Sequence, residues 1–176
     1  MSPFYLLILL ALGSKEGAAM AMTLSSPAFA AGTAIPARHT CDAEDLSPEL
    51  RFTDPPANTK SLALIVDDPD APVGNWVHWV LYDLPASHRS LPEGVPPDGT
   101  LKSPAGARQG RNDFGKLGWG GPCPPPGKPH RYFFRLYALD VPLGLEPGAK
   151  KADVERAMKG HVLGQAEIFG TYARKR

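Results

Sequence analysis

The sequence predicts a mainly β fold: an antiparallel β-sandwich with one helix late in the chain and long Pro- and Gly-rich loops. Three observations predict it. The 176 residues include 20 Pro and 18 Gly, too many chain-breakers for a helical bundle and well suited to short strands joined by shaped loops. Two segments, 76–84 (WVHWVLYDL) and 130–140 (HRYFFRLYALD), read as clear strands. Only one body segment, 151–163 (KADVERAMKGHVL), places its apolar residues Val154, Ala157, Met158 and Val162 at helical spacing.

The elements follow in order. Residues 22–29 (MTLSSPAF) open the body as a strand with Pro27 near its end, and 35–48 are polar and rich in turn formers. Residues 61–66 (SLALIV) form a compact apolar strand stopped by Asp67-Asp68-Pro69-Asp70-Ala71-Pro72. In the 76–84 strand, simple alternation puts Trp76, His78, Val80 and Tyr82 on one face and Val77, Trp79 and Leu81 on the other. Both faces are large and apolar, so this strand is expected in mid-sheet. Residues 87–129 form a long Gly/Pro-rich stretch containing GWGGPCPPPG at 118–127, and a loop this long is expected to build a site. Its Trp119 suits either a pocket rim or an interface. In the 130–140 strand His130, Tyr132, Phe134 and Leu136 share a face. A final short strand is expected at 166–172.

Composition bounds the function. A formal charge of +1 argues against broad electrostatic binding to nucleic acid or to an acidic membrane surface. Residues 3–12 (PFYLLILLAL) are apolar but too short for a membrane-spanning helix, which needs about 20 residues. With Ala19-Met20-Ala21 they fit residues 1–21 as a secretory signal peptide, although no Lys or Arg precedes the run. The alternative is an upstream extension with the true start at Met20 or Met22. A periplasmic or secreted location is slightly favoured, a cytoplasmic one follows from the later start, and the body is read as a single domain over 22–176.

Most familiar catalytic motifs are absent: there is no P-loop, no G-x-S-x-G elbow, no H-E-x-x-H and no G-x-G-x-x-G after a strand. Three polar clusters remain. Asp67, Asp68 and Asp70 close an apolar strand, where turn chemistry alone would explain them. His78 lies mid-strand between Trp76 and Trp79, where it is either a satisfied core histidine or a site residue. His130 and Tyr132 share one face of a strand end beside the Gly/Pro loop, which is either the mouth of a pocket or a half-exposed strand end. Taken together, two imidazoles, a phenol and a carboxylate with backbone N–H groups of a Gly-rich loop suit an anion site in which Asp orients a His. Two His and one Asp could also hold a metal, but no further ligand stands at a recognisable spacing, and no cofactor is implied.

At these residues the chain resembles the phosphatidylethanolamine-binding protein family, in its bacterial Raf-kinase-inhibitor-like branch. The matching motifs are Asp68-Pro69-Asp70-Ala71-Pro72, Trp76-Val77-His78-Trp79, Gly121-Pro122 with the prolines after it, and His130-Arg131-Tyr132. The similarity spans about residues 24–172. It implies a Greek-key β-sandwich with a small cavity for phosphate-like anions or phospholipid head groups. By position, that cavity would use Asp68, Asp70, Pro72, His78, Gly121, Pro122, Pro124, His130 and Tyr132. A cis bond before a motif proline is also implied. Both histidines are expected to donate to the anion. The chain departs from eukaryotic members in having Cys123 on the rim in place of Pro and a short C-terminal helical region, so their kinase inhibition does not carry over directly. A kinase or protease partner and a homodimer stay open.

The resemblance places Cys41 and Cys123 in loops near the inferred pocket. In an exported protein they are expected to pair, and in a cytoplasmic one to remain free thiols. The functional expectation is a non-enzymatic binding module, with a kinase- or protease-inhibitor-like regulator as one form of it and a hydrolase or lyase using a His/Asp acid–base site as the alternative.

Overall fold

The computed structural model describes residues 21–174, so the apolar N-terminal run read as a signal peptide or extension lies outside the described residues. The strands are β1 (Thr23–Ser25), β2 (Leu50–Thr53), β3 (Ser61–Asp68), β4 (Trp76–Pro85), β5 (Ser90–Leu91), β6 (Arg108–Gln109), β7 (His130–Leu139) and β8 (Val162–Tyr172), with helix α1 at Lys151–Met158. They form two antiparallel sheets, one ordered β1-β2-β5 and the other β6-β4-β3-β7-β8.

The larger sheet is covered on both faces, because its central strands are apolar at almost every position. All eight residues of β3 are buried. Leu62, Leu64 and Val66 of β3 join Tyr132, Phe134 and Leu136 of β7 and meet Leu24, Leu50, Phe52 and Leu91 of the small sheet. Ala63 and Ile65 face the other way and pack with Val80, Tyr82 and the helix residues Val154 and Met158. Each buried Leu, Val, Ile, Phe or Met among them contributes about 1.5–3 kcal/mol relative to exposure.

Several sequence expectations are corrected. The opening strand is three residues long rather than eight, β2 is a four-residue strand that the sequence reading did not name, and β5 and β6 are too short to show alternation. The helix ends at Met158, not 163, because Gly160 turns the chain with φ +84° and β8 already begins at Val162. The long 87–129 stretch is not featureless, since it carries β5, β6 and a bridge between Arg111 and Leu117. Trp119 is not on the rim of the site cavity. It is 9% exposed and packs against Trp79 and Phe134 in the core. The single cis peptide among the described residues is Ser103–Pro104, outside all the motifs.

The correction that matters most is in β4. Val66 pairs with Trp79, but the next β3 residue, Asp67, pairs with Val77. His78 is therefore the extra residue of a β-bulge, and the alternation predicted from sequence fails there. Val77 packs with Val80 on the helix side, while His78 turns to the Tyr132 side of the sheet.

Asp67 is fully structural. Its side chain is 1% exposed and accepts from Arg135 Nη1 at 2.5 Å, Lys151 Nζ at 2.5 Å and Asn75 Nδ2 at 2.9 Å. Burial pushes its carboxyl up, yet the hydrogen bonds from Lys151 and Asn75 and the charges of Lys151 and Arg135 outweigh this and hold it below the usual carboxylate range. Asp67→Asn keeps the shape and removes the charge that ties β3 to β7 and α1. It is expected to cost about 2–3 kcal/mol in urea unfolding, and a loss under about 1 kcal/mol would contradict this account.

Candidate functional site

The site forms where β3 ends, β7 begins and β4 bulges. Asp68 closes β3 and organises the turn after it. Its Oδ1 accepts the Asp70 backbone N–H at 2.8 Å, and its Oδ2 lies 2.7 Å from Nδ1 of His130, the first residue of β7. The pair is enclosed, with side chains 4% and 12% exposed. His130 is thereby held by Nδ1, so its Nε2 is directed away from the carboxylate.

His78 is anchored from the other side. Its Nδ1 lies 2.5 Å from the Gly120 carbonyl oxygen, and Gly120 N–H donates back to the His78 carbonyl at 2.9 Å. Its ring meets the Tyr132 ring edge-on at 5.1 Å. Burial pushes the His78 pKa down, against the opposing Gly120 hydrogen bond and the Asp68 charge. The sign of the consequence is fixed. The folded ring resists a proton that the unfolded ring accepts below about 6.5, so stability is full above that pH and is lost as pH falls below it. Denaturant unfolding at pH 7.5 and 5.5 is expected to show a smaller acid loss in His78→Phe than in the wild type; equal losses would refute the buried neutral ring.

These groups border a cavity of about 150 Å³ lined by Asp68, Trp76, His78, Phe114, His130 and Tyr132 together with Ala71, Pro72, Val73, Cys123, Pro124 and Pro125. That is smaller than the ~300–1,000 Å³ of sites for drug-sized ligands. Two donors in its wall are orphaned. The Tyr132 hydroxyl and the Trp76 indole N–H are both buried without a hydrogen-bond partner. Buried polar groups rarely stay unpaired unless something else completes them. Burial and the charges of Asp68 and Asp70 raise the Tyr132 pKa, so the phenol stays protonated.

Of the residues singled out from sequence, Asp68, Pro72, His78, Pro124, His130 and Tyr132 line the cavity. Asp70, Gly121 and Pro122 do not. Asp70 turns outward to Arg131, receiving its Nε, Nη2 and backbone N–H at 2.7–2.9 Å. The Arg131 hydrogen bonds hold the Asp70 carboxyl down to about 2. Gly121 donates its N–H to Asp45 at 2.7 Å, and a Cβ there would meet Asp45 and the His39 carbonyl at 2.4 Å. The Pro122 carbonyl accepts from Cys41 N–H. These three residues shape the rim from behind. Cys41 and Cys123 form a disulfide with Cα atoms 5.4 Å apart.

Sequence reading missed Trp76 and Phe114 as wall residues. Phe114 packs edge-on to both His78 and Trp76 at 5.4 Å. Asn112 holds it there by accepting the Phe114 and Lys116 N–H groups. Asx chemistry at Asn112 is the one local signal that could have marked this turn. Among the described residues no group of three or more His, Cys, Asp or Glu could hold a metal ion, and no helix is long and apolar enough to cross a membrane.

The comparisons with known proteins agree with this fold. The profile described as phosphatidylethanolamine-binding protein matches residues 25–173. A UPF0098 protein of Methanothermobacter thermautotrophicus is 55% identical over 153 residues, covering 87% of this chain and 99% of that one. The crystal structure of Escherichia coli YbcL, described as a new member of the mammalian PEBP family, superposes with TM-score 0.82 at 36% identity, covering 89% of this chain and all of that one. The Chlamydia trachomatis PEBP homologue CT736 gives TM-score 0.80 at 42% identity, covering 88% and 99%. With nearly the whole body matched by profile, sequence and structure, the chain belongs to the phosphatidylethanolamine-binding protein family.

Proposed function

We propose that this protein is a non-enzymatic binding module whose cavity takes a phosphate-like oxyanion, as a small phosphoester or a phospho head group. The observation that carries this reading is the buried, unpartnered Tyr132 hydroxyl in the wall of the cavity that the Asp68–His130 pair also lines. An oxyanion would complete Tyr132 O–H and Trp76 N–H, and a His130 imidazolium backed by Asp68 would supply the positive charge. No Lys or Arg lines the cavity, so that charge must come from imidazole. The apolar lining residues Pro72, Val73 and Phe114 suit the carbon side of an ester. The family's name, which refers to a phosphate-bearing lipid, supports the same ligand class. Presenting the bound ligand to a kinase or protease, or blocking such a partner, would be a further step of the same module.

Binding without turnover fits the lining, which holds no Ser, Thr or Lys and whose Cys123 is oxidised. The hydrolase reading draws on the Asp68–His130 contact, since a carboxylate behind an imidazole is also how a general base is oriented. Sustained turnover of a phosphoester panel, lost in His130→Ala, would replace the binding reading.

Tyr132→Phe tests the proposal. Removing an orphaned hydroxyl relieves a buried unsatisfied group, so the free variant is expected to be as stable as the wild type or more so. Its affinity for methyl phosphate by calorimetry should fall about five- to tenfold. A destabilised variant with unchanged affinity would show that the hydroxyl serves the fold.

A further inference from the structure

This inference rests on the oxyanion reading and narrows it. The Gly120 carbonyl oxygen can only accept, so the hydrogen in its 2.5 Å contact with His78 sits on Nδ1. The ring is 2% exposed, and burial favours its neutral form. Nε2 then carries a lone pair. It makes no hydrogen bond within the protein among the described residues, and it is absent from the sealed, unpartnered atoms, so it opens on the cavity that the ring borders. The titratable groups around His78 are Asp68 from β3, His130 and Tyr132 from β7, and Asp45 behind the Gly120–Gly121 turn. Asp68 already has both oxygens engaged. The Trp76 N–H and Tyr132 O–H are sealed and unpartnered just behind the cavity surface, whereas His78 Nε2 is not.

At the cavity surface a ligand therefore meets an imidazole acceptor at His78. An oxyanion without a hydrogen puts an oxygen lone pair against that of Nε2. One with a P–O–H group donates to Nε2. We infer that His78 selects hydrogen-bearing oxyanions, which makes the ligand class the phosphomonoester monoanion and disfavours phosphodiesters and sulfate esters. A site built to pair with a ligand hydrogen rejects analogues that lack it, because its own polar group is left unpaired. The phosphodiester of an intact phospholipid lacks that hydrogen, so a free monoester fits this site better than a lipid head group.

The test is calorimetry on the full chain at pH 5.5 with methyl phosphate, methyl sulfate and dimethyl phosphate. Near that pH the monoester is largely a monoanion, its second pKa being about 6, so all three ligands carry about one negative charge. Methyl sulfate matches methyl phosphate in size as well. The expected result is methyl phosphate at least tenfold tighter than either analogue, with the three brought to within about twofold in His78→Phe. Equal wild-type affinities would overturn the selection while leaving the oxyanion cavity standing. Binding of none of the three would overturn the cavity reading itself. The wild-type comparison decides the matter even if His78→Phe fails to fold.

Discussion

Asp68→Asn is expected to lower affinity for methyl phosphate by about 10- to 100-fold, because a hydrogen bond to a charged group contributes about 1.5–3 kcal/mol. Asp68 acts at two points. Its Oδ2 fixes His130 through Nδ1, and its Oδ1 caps the turn by accepting the Asp70 N–H. Asn can still cap the turn with its single carbonyl oxygen. Its amide then meets the His130 Nδ1 hydrogen donor to donor, so the ring loses its orientation and an imidazolium loses its counter-charge. The fold should survive this change, since β3 and β7 stay paired from Asp67–Phe133 onward. An Asp68→Asn variant with wild-type unfolding and affinity within twofold would mean that the pair has no part in binding.

The second large effect is expected at the disulfide. Cys41 and Cys123 are 82 positions apart, and in the chain-entropy account a closure of that size contributes about 4.5 kcal/mol. For a chain of this size that corresponds to a fall in Tm of roughly 10 °C in the Cys41→Ser/Cys123→Ser double variant. The anchoring of His78 should persist, because the Gly120–Gly121 turn that holds it is tied separately to His78 and Asp45. The rim at Pro124 and Pro125 loses its tether, so a few-fold loss of affinity should accompany the larger loss of stability. A change in Tm under about 2 °C would show that the bridge does not stabilise the fold.

The framework was legible because it depends on local pattern. Alternation in 76–84 and 130–140 located β4 and β7, and the Asp-Pro cluster marked the end of β3. The side on which His78 lies was not legible, since a bulge belongs to the pairing of two strands and leaves no trace in one. Asp70 was grouped with Asp68 by proximity in sequence. Its partner Arg131 neighbours His130 in the chain and so points to the opposite face, which draws Asp70 out of the cavity. Phe114 escaped notice because only the fold of the 112–118 loop, set by Asn112, carries it to His78. The orphaned Tyr132 hydroxyl could not be read at all, as satisfaction of a buried group is a property of its surroundings.

A crystal structure of the full chain grown with methyl phosphate tests the central claim most directly. The account predicts the phosphoryl group between His78 and His130, within hydrogen-bond reach of the Tyr132 hydroxyl, with its methyl group toward Pro72 and Phe114. A cavity closed by the protein's own side chains, or a phosphoryl group bound only elsewhere on the surface, would contradict it.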